Sequence, residues 1–201
     1  MNFIEIKEEA KKLTSKNILK FWKSSLLVFG SSIALTIILG IISGGVLAFI
    51  TELLALPLYI GFISYILGLT RKEEVSLADI FQDYKKIGLI VVTLIISYVL
   101  IVIGYILLII PGIMIAFSLV MVGYLLADFK ETNPSEARNL IRQSREMMNG
   151  YKMDYFIFEL SFIGWYLLGI ITFGIAYIYV IPYFTFANTL YYQRLKEKRK
   201  S

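Results

Sequence analysis

Three apolar blocks, residues 24–70, 87–127 and 155–190, contain no lysine or arginine and only two acids, Glu52 and Glu159. One helical crossing of a hydrocarbon core about 30 Å thick takes about 20 apolar residues, so each block has the length of two. A turn signal lies near the middle of each: Ser43-Gly44-Gly45, Pro111-Gly112 and Phe173-Gly174, residues that break or cap helices. The blocks therefore read as three helical hairpins, with helices expected over 25–43, 46–70, 87–110, 113–127, 155–172 and 175–190. They lack the alternating period of a membrane β-barrel. The expected fold is all-α, an integral membrane bundle of six transmembrane helices forming a single membrane domain.

Charge placement gives the threading. The 201 residues are 58% hydrophobic and 17% charged, against about a quarter charged in soluble domains, and the mean hydropathy is +0.73. All 20 cations fall in four segments: 1–23, 71–86, 128–154 and 191–201. With six spans these segments share one side, and the three hairpin turns opposite carry no cation. The positive-inside rule then puts both termini in the cytoplasm. The mixed charge of residues 1–23, and the lack of a small-residue cleavage site, argue for a retained signal anchor over a cleaved signal peptide.

Each hairpin follows a short amphipathic stretch. Ser76 and Asp79 form a capping box ahead of Leu77, Ile80, Phe81 and Tyr84, which share a face at α-helical spacing. Asn133 suits a cap, Pro134 the first helical position and Glu136 the capping-box acid. Ala137, Leu140, Ile141 and Met148 line the face that follows, and Gly150 ends it. In the first segment Phe3, Ile6, Ala10 and Leu13 form one stripe, and Ile18, Phe21 and Trp22 another. Such helices dock a partner, sense anionic lipid, or pack beneath the bundle.

Absences bound the chemistry. With no cysteine or histidine, there is no thiol nucleophile, His-based triad or usual zinc ligand set. No phosphate loop, GxSxG or HExxH occurs. Nucleic acid is a poor partner for want of a basic groove, and no cofactor is expected. Glu159 is the intramembrane acid that stands out, with Tyr155 and Tyr166 on its face. It could bind a cation, carry a proton, or pair with Arg138, Arg142 or Arg145. Glu52 is expected in solvent at the outer interface. Pro57 and Pro182 should kink their helices, and such breaks can line a transport site. Arg194, Lys196, Lys198, Arg199 and Lys200 are candidates for gripping anionic headgroups, or a topology signal.

Several stretches carry a family resemblance: Leu56-Pro57-Leu58-Tyr59-Ile60-Gly61-Phe62, Ser76-Leu77-Ala78-Asp79-Ile80-Phe81, Ile110-Pro111-Gly112-Ile113, Met147-Met148-Asn149-Gly150-Tyr151-Lys152 and Leu160-Ser161-Phe162-Ile163-Gly164-Trp165. Over residues 10–195 the chain resembles a bacterial membrane family defined by a domain of unknown function, number 975. It is distantly similar to the membrane region accompanying some glycerophosphodiester phosphodiesterases. The resemblance implies a multi-helix membrane protein without an assigned reaction, and no phosphodiesterase site carries over. The expectation is a non-enzymatic membrane interaction or lipid-handling module. Its partners are the bilayer and either anionic lipid or a membrane protein, and a homo-oligomer is compatible with it. The rival is a small transporter using Glu159 and the proline kinks; an intramembrane enzyme is the remote third.

Overall fold

The computed structural model describes residues 1–43 and 48–199, with side chains from 51 onward in the second stretch. In chain order it has α1 (Phe3–Ser43), α2 (Ala48–Thr70), a 3-10 helix (Leu77–Lys86), α3 (Ile87–Leu107), α4 (Ile109–Leu119), α5 (Val122–Asp128), a 3-10 turn (Pro134–Glu136), α6 (Ala137–Met148), α7 (Lys152–Leu160), α8 (Ile163–Ile171) and α9 (Tyr177–Lys198). There is no strand among the described residues. Five segments are long and apolar enough to cross a membrane: Phe3–Ser43, Thr51–Thr70, Leu77–Leu107, Ile109–Asp128 and Lys152–Ile171. The expected sixth, within α9, is not among them, because its uncharged part is rich in tyrosine, threonine and asparagine and polar and charged residues follow from Gln193. It is instead the core helix, burying Val180, Pro182, Tyr183, Phe186, Ala187 and six residues beyond. The glycines of the expected Ser43-Gly44-Gly45 turn lie outside the described residues.

The amphipathic segment and first span merge. α1 is one helix of 41 residues, about 60 Å long at 1.5 Å per residue. Its two expected stripes are a single one, Ile6, Ala10, Leu13, Thr14, Asn17, Phe21 and Ser24. Beyond Ser24 none of its residues is buried and none is charged. Only this second half has the composition and length of a span.

Residues 77–86 form a 3-10 helix where spacing predicted an α-helix. The capping box is present: Ser76 Oγ accepts from the Ala78 amide at 3.3 Å and Asp79 Oδ2 from the Ser76 amide at 2.7 Å. At three residues per turn, i and i+3 eclipse, so the buried face is Ile80, Asp83 and Lys86. Phe81, assigned to the apolar face, is exposed. The strap lies directly on α2 at Gly61, where an added Cβ would overlap the Ile80 carbonyl.

The second hairpin turns at Leu108, extended at φ −166° and ψ 154°, three residues before the expected Pro111. Proline tolerates the first helical turn because no intrahelical partner awaits its missing N–H. Gly104 and Gly112 let α3 and α4 cross closely: a Cβ at Gly112 would sit 2.6 Å from the Tyr105 ring. The third hairpin turns where expected, with Phe173 at φ 50° and Gly174 at φ 91°. Its first arm is not one helix, however; it breaks at Ser161-Phe162 between α7 and α8.

α6 follows its pattern. Asn133 Oδ1 caps the Ser135 amide at 3.0 Å, Ala137, Leu140, Ile141 and Met148 are buried, and Gly150 stands at φ 79°. Glu136 bonds Asn139 instead of closing a capping box.

Gly61→Ala should lower thermal stability by about 1–3 kcal/mol, since the strap must move off α2. Gly164→Ala, with nothing near its Cβ, should be neutral or slightly stabilising. Unfolding in detergent micelles measures both; equal effects would mean the strap does not depend on Gly61.

Candidate functional site

Carbonyls freed where the helices are interrupted find side-chain donors from distant elements. Pro182 has no N–H for the carbonyl of Ile178, four residues earlier. Trp22 of α1 donates its Nε1–H to that carbonyl at 3.0 Å. Pro57 likewise leaves the Leu53 carbonyl without its amide, and the Tyr84 hydroxyl donates to the neighbouring carbonyl, that of Leu54, at 2.9 Å. At the break between α7 and α8, Lys7 Nζ donates to the Ser161 carbonyl at 3.1 Å and lies 4.7 Å from the Phe162 ring centre. At the end of α4, Ser144 Oγ donates to Ser118 at 2.9 Å. The two prolines thus sit inside continuous helices, and the Ile178 carbonyl is occupied by an indole.

Two ionic groups join the charged segments. Lys86 and Asp83, both buried, pair at 2.6 Å. Lys86 also donates to the carbonyls of Leu126 at 2.8 Å and Phe129 at 2.7 Å, where α5 ends. Ser64 of α2 donates to Asp83 at 2.8 Å. Asp128 pairs with Arg71 at 2.7 Å and with Lys196, and accepts from the Tyr192 hydroxyl at 2.9 Å. Its hydrogen bond to Arg71 raises the guanidinium above its ordinary range despite partial burial. Burial and the Asp128 charge push the Tyr192 phenol up, so it remains a neutral donor. These groups face a cavity of about 420 Å³ between α2, the strap and the α5–α6 loop.

Glu159 of α7 lies beside Tyr155 and Asn188 of α9. Tyr155 donates its proton to Asn188 Oδ1 at 2.8 Å, and Asn188 Nδ2 donates to the Phe184 carbonyl at 3.3 Å. With these donors engaged, Glu159 Oε1 is buried without a hydrogen-bond partner. Tyr166 stacks edge-on to Phe184 and accepts from the Tyr177 hydroxyl at its carbonyl. The three candidate arginines do not reach Glu159: Arg142 pairs with Glu146 at 3.8 Å, and no ion pair of Glu159 occurs among the described residues. Glu52 is exposed. No group of three or more acids able to hold a metal occurs among the described residues.

The basic tail is engaged with protein. Arg194 pairs with Glu9 at 3.2 Å, Lys196 with Asp128, and Lys198 and Arg199 lie over the Tyr151 ring. Arg199 also donates to the carbonyls of Met147 and Asn149, closing the end of α6. Lys200 lies outside the described residues. Sequence reasoning missed Asp83, Lys86 and Asp128 because it counted all charges in these segments as solvated. The period-3 recurrence of Ile80, Asp83 and Lys86 was the available signal.

Trp22→Phe should cost about 1–2 kcal/mol by leaving the Ile178 carbonyl unpaired. With Pro182→Ala, which restores an amide four residues on, the same change should cost less; additive losses in a double-mutant cycle would exclude the compensation. Asp128→Asn should destabilise by about 2 kcal/mol, between exposed and fully buried pairs. Arg142→Ala, whose pair is exposed, should cost under about 0.5 kcal/mol. Denaturant unfolding distinguishes the two.

A family model described as "Protein of unknown function (DUF975)" matches residues 88–199, more than half of the chain. The resemblance seen at Leu56–Phe62 and Ser76–Phe81 lies outside that match. No curated protein and no solved structure matches, so the likeness to phosphodiesterase membrane regions has no counterpart there.

Proposed function

The chain belongs to the DUF975 family, and we propose that it is a membrane-embedded lipid-interacting module without a reaction of its own. In this reading three hairpins enter the bacterial cytoplasmic membrane, the apolar first half of α9 serves as the sixth span, and both termini lie in the cytoplasm. The observation that carries it is how the ion pairs connect the charged segments. Glu9–Arg194 joins the first to the last, Met1–Asp154 the first to the third, Arg71–Asp128 the second to the third, and Lys196–Asp128 the last to the third. Four segments tied to one another support a single side, which requires an even number of crossings. The apolar faces of the strap and α6 are largely taken up in packing, so lipid meets the outer faces of the hairpins. Phe173 at the third turn is 98% exposed and Leu108 at the second 68%.

The chain has no cysteine, so each introduced one reports alone. Leu108→Cys and Phe173→Cys should react with a membrane-impermeant maleimide on intact cells, and Lys72→Cys and Arg142→Cys only after permeabilisation. Labelling at Lys72 on intact cells would overturn the threading.

One observation favours a second reading, a small transporter: the unpartnered Glu159 Oε1 beside Tyr155 and Asn188. Glu159→Gln keeps the shape and removes the ionisable proton. If the variant inserts and folds with wild-type stability but loses a cellular phenotype that the wild type supports, transport is favoured. An unchanged phenotype removes this second reading.

A further inference from the structure

The polar side of α1 faces a cavity of about 640 Å³ opposite the C-terminal end of α2, at the foot of the first hairpin. Lys12, Lys16 and Lys20 line it from α1 and Lys72 from the corner after α2. Spacing of i, i+4 and i+8 stacks the three α1 lysines on one helix face. None of the four has an ion pair among the described residues; four acids line the same cavity, Glu5, Glu8 and Glu73 without an ion pair among the described residues and Glu9 paired with Arg194. The acids of α1 sit at the end away from the hairpin. Lys20 is the lining lysine nearest in sequence to the apolar half of α1, which begins four residues later.

Two local costs are built into this wall. Like charges four apart on a helix repel. Lys72 adopts φ 59°, a left-handed conformation that favours glycine. It stands at the C-terminal corner of α2, where its amide donates to the Leu69 carbonyl at 3.3 Å and the Glu73 amide to Gly68 at 3.0 Å. That is the Schellman pattern, in which glycine is usual at this position. A lysine there adds backbone strain and brings a fourth cation to the cavity. Departures from local preference are expected where function requires them.

We propose that this cavity is a binding site for the phosphodiester of an anionic glycerophospholipid, held by Lys12, Lys16, Lys20 and Lys72 with its acyl chains along residues 25–43 of α1. The phosphate would sit at the hairpin end of the cavity, where α1 contributes Lys16 and Lys20 and no acid, the carboxylates of α1 lining the other end. The continuous α1 carries both the cations and the uncharged surface the chains need. The basic tail, by contrast, already has protein partners. The site rests on the membrane reading above and names the lipid chemistry that module recognises.

The test uses the full chain in nanodiscs of phosphatidylcholine, with and without phosphatidylglycerol, followed by thermal unfolding and by displacement of a fluorescent phosphatidylglycerol. Wild type should be stabilised by phosphatidylglycerol. Lys72→Gly should bind the probe about fivefold more weakly, as expected for one cation near the surface, while unfolding in phosphatidylcholine at the same or a higher temperature. Lys12→Gln/Lys16→Gln/Lys20→Gln should abolish the preference for the anionic lipid, which keeps the site testable if Lys72→Gly misfolds. Lys198→Gln/Arg199→Gln should leave the preference intact. Equal stability of wild type in the two lipids would refute the site. So would unchanged binding by Lys72→Gly and the triple variant, or loss in the tail variant. Displacement of the probe by soluble glycerol phosphate at equal concentration would assign the site to a free phosphate and overturn the lipid. The cysteine-labelling pattern is independent of all these results, so the site can fail while the threading stands.

Discussion

A backbone carbonyl without a donor costs several kcal/mol in hydrocarbon, where no water can replace the lost bond. This chain interrupts its apolar helices at Pro57, at Val120-Met121, at Ser161-Phe162 and at Pro182, and the architecture follows from how those interruptions are closed. Ser144, Lys7 and Trp22 each carry a donor from elsewhere in the sequence to a freed carbonyl, and Tyr84 carries one to the carbonyl next to that freed by Pro57. Two further cations, Lys86 and Arg199, do the same at the ends of α5 and α6. Apolar contacts in a bilayer discriminate weakly between protein and lipid neighbours. Directed hydrogen bonds to freed carbonyls discriminate strongly, so they fix which helix lies against which.

α1 supplies two of these donors. It supplies Lys7 to the α7–α8 break and Trp22 to α9, and Phe21 packs edge-on against Phe62 and beside Phe186. α1 therefore cannot complete its contacts until the third hairpin has formed. Its N-terminal half has an apolar stripe buried against the bundle and a charged face left exposed. A fully apolar segment would have entered the bilayer as part of the span.

Much of this was legible in the residues and some was not. Capping boxes and positive-φ corners are local, and Ser76/Asp79, Asn133, Gly150 and Phe173-Gly174 behave as their chemistry dictates. The 3-10 strap was not legible, because Leu77, Ile80, Phe81 and Tyr84 satisfy an α-helical period almost as well. What decides is tertiary: Gly61 lets the strap lie against α2, and three residues per turn then aligns Asp83 and Lys86 with Ser64 and the end of α5. The turn at Leu108 escaped for a similar reason. Pro111 signals a helix boundary, but a proline near a start looks in sequence like one just past an end. Glu159 stood out as an intramembrane acid, whereas Asn188, which with Tyr155 completes its surroundings, lies thirty-odd residues away.

The charged residues show why counting them as a solvated layer is too coarse. Asp83–Lys86 and Asp128 with Arg71, Lys196 and Tyr192 convert one side of the bundle from a set of loops into a bonded base. A buried pair of this kind gives modest net stability against an apolar substitute, since desolvation offsets much of the attraction. Its contribution is selectivity: either partner without the other leaves an uncompensated charge. Lys12, Lys16, Lys20 and Lys72 lie outside that economy of pairs. Cations that bind protein lock the base together, whereas these four, with no ion pair among the described residues, share the wall of one cavity, and that placement sets them apart from the structural charges.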